Sequence, residues 1–170
     1  MGSAVAAGLT LAAAPALADV SARSVAFHNL HTGESLNVVY REGGSYVPDA
    51  LAAVNHVLRD FRTGDVHPID PRLLDLLTTL SARVDTRGSF QVISGYRSPA
   101  TNAMLHAHSD GVARSSLHME GLAIDIRLAD VDLDRLHRAA LSLGGGGVGY
   151  YPASDFVHVD VGRVRHWGAA

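Results

Sequence analysis

Two short stretches of the chain carry side chains suited to holding a divalent cation. In His118-Met119-Glu120-Gly121-Leu122-Ala123-Ile124-Asp125, a histidine precedes a carboxylate by seven residues, and isoleucines at 124 and 126 flank that carboxylate. Burying a carboxylate in an apolar strand costs several kcal/mol in order of magnitude, unless it is paired or bound to metal. In Phe156-Val157-His158-Val159-Asp160-Val161, two polar residues alternate with apolar ones, so His158 and Asp160 share a strand face that must meet something polar. His118 and Asp125 taken alone also fit a structural ion pair. With His158 added, two imidazoles and one carboxylate form a set known from catalytic zinc sites, in which a fourth position stays open for water. A metal so held lowers the pKa of its water to about 7 and polarises a carbonyl. Hydrolysis would then need a proton acceptor and a group that holds the oxyanion.

These side chains must be positioned by regular elements, and the hydrophobic pattern supplies them. Residues 24–30 and 36–40 alternate around the His31-Thr32-Gly33-Glu34 turn, which predicts a β-hairpin. Pro48 to Arg59 has helical period, with Leu51, Val54, Val57 and Leu58 on one face. Asp70-Pro71 opens a second helix, Asp70 capping and Pro71 at the first turn, with a stripe of Leu73, Leu74, Leu76, Leu77 and Leu80. Phe90 to Ile93 reads as a short buried strand, Pro99 to Ala107 as a helix, Ser109 to Ser116 as a polar loop and Leu122 to Leu128 as a strand. A helix follows over Asp132 to Leu143, then two strands, Val148 to Tyr151 and Phe156 to Val161. The expected class is α+β, an antiparallel sheet flanked by helices. Trp167 is expected in the core.

Composition narrows the chemistry. The 170 residues suit one domain, and 47% apolar against 18% charged residues is a globular balance. All fourteen cationic residues are arginine, net charge is −3 with neutral histidines, and no basic face argues for a nucleic-acid partner. The chain has no cysteine, which excludes disulfides, thiolate zinc sites and a cysteine nucleophile, so any metal rests on histidine and carboxylate. Residues 4–18, AVAAGLTLAAAPALA, end in an A-x-A pattern and read as the remnant of an export signal. The mature domain is then expected over 19–170, without a membrane span. The other histidines have no partner at metal spacing: His106 and His108 read as solvated and the rest, His31 included, as structural or surface residues, with a groove-facing position left open for His31 by its place in the hairpin.

Three motifs taken together resemble a known family. Ser94-Gly95-Tyr96-Arg97-Ser98-Pro99, Ser116-Leu117-His118 through Asp125, and Gly146-Gly147-Val148-Gly149-Tyr150-Tyr151-Pro152 leading to Phe156-Val157-His158-Val159-Asp160 resemble the murein endopeptidases of the peptidase M15 clan. The similarity is strongest to the MepK-type branch, whose N-terminal hairpin Asn29 to Glu34 also resembles, and it spans roughly residues 23–167. The resemblance implies a fold shared with D-Ala-D-Ala metallopeptidases and the Hedgehog signalling domain. It implies Zn2+ on His118, Asp125 and His158, with Arg97 binding substrate and stabilising the oxyanion. Ser94 and Tyr96 would line the substrate channel. In related carboxypeptidases an acidic residue stands three before the last zinc histidine, which matches Asp155. On a regular strand that residue would face the wrong way, so Asp155 must precede the strand or sit at a bulge. Asp160 shares the face of His158 and is the other candidate base, or else a partner orienting a ligand.

The expected activity is therefore zinc-dependent hydrolysis of peptide cross-links in peptidoglycan, by an exported protein of the periplasm or cell envelope acting as a monomer. The cross-link joins D-alanine to diaminopimelate or two diaminopimelates, with the branch favouring the second. Two rivals share the fold: a D,D-carboxypeptidase trimming a terminal D-alanine, and a non-catalytic cell-wall binding module that keeps zinc for structure.

Overall fold

The structure, a computed structural model, describes residues 22–108 and 113–168. The alanine-rich run at 4–18, the expected mature start at Asp19 and part of the polar loop, 109–112, lie outside the described residues.

The described residues begin with the expected hairpin, β1 (Arg23–Asn29) and β2 (Ser35–Glu42), to which β3 (Ser45–Tyr46) adds a short edge. Helix α1 (Pro48–Val57) and helix α2 (Pro71–Arg83) follow. The Asp70 side chain accepts from Arg72 N at 2.9 Å and caps α2, as Asp-Pro at a helix start predicts. Strand β4 (Phe90–Ser94) leads through the Gly-Tyr-Arg-Ser loop to α3 (Pro99–His108). A single 3-10 turn, Leu117–Glu120, enters β5 (Ala123–Arg127). Helix α4 (Leu133–Leu143) is capped by Asp132, whose carboxylate accepts from Asp134 N and Arg135 N, and ends at Gly144 in the left-handed region, φ 60°. Strands β6 (Gly147–Tyr151), β7 (Phe156–Asp160) and β8 (Arg165–Gly168) are the last described elements.

All eight strands form one sheet in the order β3-β2-β1-β4-β5-β7-β6-β8. The α+β class is as expected, but the sheet is mixed rather than antiparallel: β1 runs parallel to β4, and β6 parallel to β8. The cause is topological. Between β1 and β4 the chain makes a hairpin and two helices, a connection long enough to return it in the same direction. Strand β8 escaped the sequence pattern because Arg165-His166-Trp167-Gly168 has no apolar alternation.

One face of the sheet carries the core. Val25, Phe27, Phe90, Val92, Ile124, Ile126, Val157 and Val159 pack with Leu73, Leu74, Leu77 and Leu80 of α2 and Leu136 of α4, all buried. Each fully buried leucine or isoleucine contributes roughly 1.5–3 kcal/mol of transfer free energy. Because side chains alternate along a strand, fixing Ile124 and Ile126 in the core turns Asp125 to the other face, and fixing Val157 and Val159 does the same to His158 and Asp160. The hydrophobic pattern thus aims the polar set.

Candidate metal centre and cleft

The polar set lies on one row of register partners crossing the sheet. Ser94 pairs with Asp125, Asp125 with His158, His158 with Gly149, and Gly149 with Trp167. His118 reaches this row from the 3-10 turn. Ser116 caps that turn, and Gly121 ends it at φ 68°, where any Cβ would collide with the carbonyl oxygen of Pro68. The loop is tied down at both ends, since Arg97 N donates to His118 O at 3.1 Å and Asp70 N to Gly121 O at 3.0 Å.

Three donor atoms converge. His118 Nε2 and His158 Nδ1 are 3.1 Å apart, His158 Nδ1 and Asp125 Oδ1 2.9 Å, and His118 Nε2 and Asp125 Oδ1 3.3 Å. A tetrahedral cation with ligand bonds near 2.0–2.1 Å needs ligand edges of about 3.3 Å, so the spacing fits a small divalent ion. The remaining imidazole nitrogens are committed elsewhere: His118 Nδ1 donates to Gly95 O at 2.7 Å, and His158 Nε2 donates to Asp160 Oδ2 at 3.1 Å. Those bonds fix each tautomer and present one lone pair of each ring to the centre. Among the described residues, His118, Asp125 and His158 form the group able to hold a metal ion, and all three are buried.

The electrostatics suit a cation. Burial favours the neutral form of Asp125, yet the charges and hydrogen bonds of His118 and His158 hold its carboxyl far below the usual carboxylate range. Burial also opposes a charge on His158, but Asp125 and Asp160 outweigh it and push the imidazole up to about 9. In the metal-free protein a proton therefore stands on His158, where a cation would otherwise bind.

Arg97 stands beside the group, with Nη2 3.7 Å from Asp125 Oδ2. Its other contacts are long, 3.4 Å to Asn102 Oδ1 and 3.5 Å to Ser94 Oγ, and its buried Nε has no partner. Desolvation lowers the pKa of this guanidinium, and Asp125 is the main group restoring it. A buried donor without a partner is costly, which marks Arg97 as a group awaiting an acceptor. A cleft of about 450 Å³ opens over the row, and its lining includes Arg97, the three clustered residues, Tyr151, Phe156, Arg165 and Trp167.

The two candidate bases have distinct positions. Asp155 lies immediately before β7 in the left-handed region, φ 54°, where the parity argument requires it. Its side chain is 60% exposed and its Oδ2 lies 2.5 Å from Arg127 Nη1, so it does not line the cleft. Asp160 is fully buried and saturated: Oδ1 accepts from Gly147 N at 2.9 Å and Gly162 N at 2.8 Å, and Oδ2 accepts from His158 and from Arg165 Nη2 at 2.8 Å. Of the expected channel residues, Ser94 sits under Arg97. Tyr96 stacks on His67, with centroids 4.7 Å apart, and packs against the core.

The comparisons with known proteins agree with this geometry. The M15 peptidase profile described as peptidoglycan L,D-endopeptidase MepK matches residues 17–167. The chain belongs to the MepK family of M15 peptidases. The peptidoglycan L,D-endopeptidase MepK of Escherichia coli K12 is 45% identical over 166 residues, 96% of this chain and 91% of its own length. The probable peptidoglycan L,D-endopeptidase MepK of Haemophilus influenzae is 41% identical over 167 residues, 96% of this chain and 90% of its own. Membership of this peptidase family and a His-Asp-His group of metal-binding geometry point to the same chemistry.

Sequence reasoning missed Trp167. It is not core but a half-buried wall of the cleft, its ring 5.0 Å from that of His158, and its Nε1 donates to Tyr151 Oη at 2.7 Å. The available signal was Gly149. A glycine inside a strand leaves room for a neighbour, and a Cβ there would stand 2.7 Å from the Trp167 ring.

Proposed function

We propose that this protein is a zinc-dependent peptidoglycan L,D-endopeptidase, cutting the peptide bond between an L and a D centre in cross-linked stems. The observation that carries the reading is the convergence of His118 Nε2, Asp125 Oδ1 and His158 Nδ1 at mutual distances of 2.9–3.3 Å beside the guanidinium of Arg97, whose buried Nε has no partner. Zinc held there supplies Lewis-acid activation of a water and of the scissile carbonyl. Asp125 and the two imidazoles hold the ion, and the acceptors on their outer nitrogens keep them aimed. Arg97 donates to the carbonyl oxygen as negative charge develops on it, the role of an oxyanion-hole donor. The Arg97 side chain is only 12% exposed, and the low local dielectric strengthens that contact.

Three protein ligands leave a corner of the coordination sphere for water, which favours catalysis over a purely structural zinc. The row of partners continues past the metal centre on both sides, toward Trp167 on β8 and toward β1 beyond Ser94. A peptide that extends both ways from the scissile bond fits this better than the terminal residue a D,D-carboxypeptidase takes. The names of the relatives point to an L,D bond, which in a cross-link joins two diaminopimelates. Kinship with D-Ala-D-Ala metallopeptidases and the Hedgehog domain, and a place in the periplasm, belong to the same reading. No helix among the described residues is long and apolar enough to cross a membrane.

The test is digestion of defined cross-linked dimers with zinc-loaded and chelated protein, products identified by mass. The expected result is zinc-dependent conversion of diaminopimelate-linked dimers to monomers. Release of single D-alanine, or no cleavage by zinc-loaded protein, would overturn the proposal.

A further inference from the structure

The register row does not end at Ser94. Strand β1 pairs in parallel with β4 through Phe27 with Phe90, His28 with Gln91 and Asn29 with Val92. Continued past Asn29, that register brings His31 beside the end of β4, and its Nε2 donates to Ile93 O at 3.0 Å. The His31 ring is fixed by this bond and stacks on Phe61, with centroids 3.8 Å apart and planes 9° from parallel. The guanidinium of Arg62 then lies 4.2 Å over the other partner in the stack, the Phe61 ring. Three flat groups, imidazole, phenyl and guanidinium, thus form a ledge at the β1 end of the row.

Arg62 differs from most arginines of this chain. Arg23 and Arg41 meet Asp75, Arg59 meets Glu34, Arg72 meets Asp70, and Arg127 and Arg165 each meet an aspartate. Arg62 has no carboxylate within ion-pair distance among the described residues, and its side chain is solvent-exposed. The carboxylate nearest to it in sequence is spent: Asp60 is buried, its Oδ1 accepts from Arg62 N at 2.9 Å, and its Oδ2 accepts from Ser98 N and Ser98 Oγ at 2.9 and 2.7 Å. Those bonds clamp the Arg62 backbone to the residue that follows Arg97, so the two arginines branch from segments tied to one buried carboxylate. Arg62 is also among the charges that Arg97 feels. Arg97 shares Asp125 at 3.7 Å with the two histidines, and Arg62 has no carboxylate of its own among the described residues, so the pair carries positive charge in excess and favours an anion brought from outside.

We infer that Arg62, presented on the His31–Phe61 stack and held by Asp60, is a specificity residue that binds a free carboxylate of the peptidoglycan stem outside the scissile bond. The inference rests on the proposed endopeptidase reading and assigns one side of the substrate to the β1 end of the row. Neighbouring strands lie about 4.8 Å apart, so the two steps from Asp125 to β1 span roughly 10 Å, the reach of about three extended residues. Stem peptides carry carboxylates at that range, on the glutamyl and diaminopimelyl residues. The guanidinium gives paired donors to one such group, while the Phe61 face under it limits where the carboxylate can sit.

The test compares two dimers that differ only in whether the stem carboxylates are free or amidated, on wild-type protein, Arg62→Gln and Arg62→Lys. Binding is followed on metal-free protein by the fluorescence of Trp167, the single tryptophan of the chain, and turnover on zinc-loaded protein. Wild type should bind the free-acid dimer about five- to tenfold more tightly than the amidated one, a modest ratio because the guanidinium is exposed. Arg62→Gln should abolish that ratio through KM with kcat within twofold, and Arg62→Lys should restore part of it. An unchanged ratio in Arg62→Gln, or no ratio in wild type, would overturn the assignment. Binding discrimination without cleavage would sink the endopeptidase reading and leave the carboxylate site standing.

Discussion

Asp160→Asn separates two roles that sequence alone left open for this carboxylate, base or positioning group. The wild-type side chain accepts from four partners: His158 Nε2 at 3.1 Å, Arg165 Nη2 at 2.8 Å, Gly147 N at 2.9 Å and Gly162 N at 2.8 Å. An asparagine can keep its oxygen on the two backbone amides. Its NH2 then faces the His158 N–H and the Arg165 guanidinium, donor against donor. His158 loses the acceptor that selects its tautomer, and Arg165 loses its counter-charge. Loss of such an outer partner typically weakens metal binding 10- to 100-fold, about 1.4–2.7 kcal/mol. Arg165 is about one-third exposed (34%), so water recovers part of its loss, and we expect a global destabilisation of about 1–3 kcal/mol rather than the full cost of a broken buried pair. Asp160 has no solvent access and no free lone-pair direction toward the cleft, so kcat at saturating zinc should fall less than about tenfold.

The assay is competition for zinc against a chromophoric chelator, followed by turnover of a cross-linked dimer with zinc in excess. Zinc affinity equal to wild type, together with a kcat loss of 10²–10⁴ at saturating metal, is what removal of a general base would produce. That result would refute the positioning argument.

Further predictions concern the other members of the row. Arg97→Ala should lower kcat by about 10²–10³ with zinc content unchanged, since an oxyanion donor acts only as charge develops; equal losses in zinc content and rate would deny it that role. Zinc affinity should rise about tenfold per pH unit from pH 7 to about 9 and level off above, because His158 keeps its proton below about 9 and must release it to bind metal. Calorimetry in buffers of different ionisation enthalpy should accordingly count close to one proton released per zinc at pH 7, and none would contradict the Asp125–His158 pairing. Asp155→Asn should cost less than about threefold in kcat/KM, because its carboxylate rests on Arg127; a hundredfold loss would show that it leaves Arg127 and takes the proton. Gly149→Ala puts a Cβ 2.7 Å from the Trp167 ring, so Trp167 emission should shift and KM rise while zinc stays bound.

The parts of the site that rest on alternation were legible from residues alone. Isoleucines at 124 and 126 and valines at 157 and 159 left Asp125, His158 and Asp160 no place but the opposite face, and the strands that carry them fell where the pattern put them. What alternation cannot encode is the order of strands across the sheet. Nothing within Arg165 to Gly168 announces a strand, because its pairing is with β6 and not with itself, so Trp167 read as core and emerged as a cleft wall. The direction of β1 against β4 was hidden for the same reason, since a parallel pair is made by the length of the connection between the strands and not by their own residues. Both misreadings concern the flanks of the metal centre. There the sheet contributes Trp167 on one side, while on the other the turn after β1 and the loop after α1 bring in the His31–Phe61–Arg62 stack. The proposed metal centre, with His118, Asp125 and His158 as its ligands, would fix what bond chemistry is available. The strand order fixes how much peptide can lie on each side of that bond, and a centre set in mid-row, with contacts both ways, is built to cut within a chain.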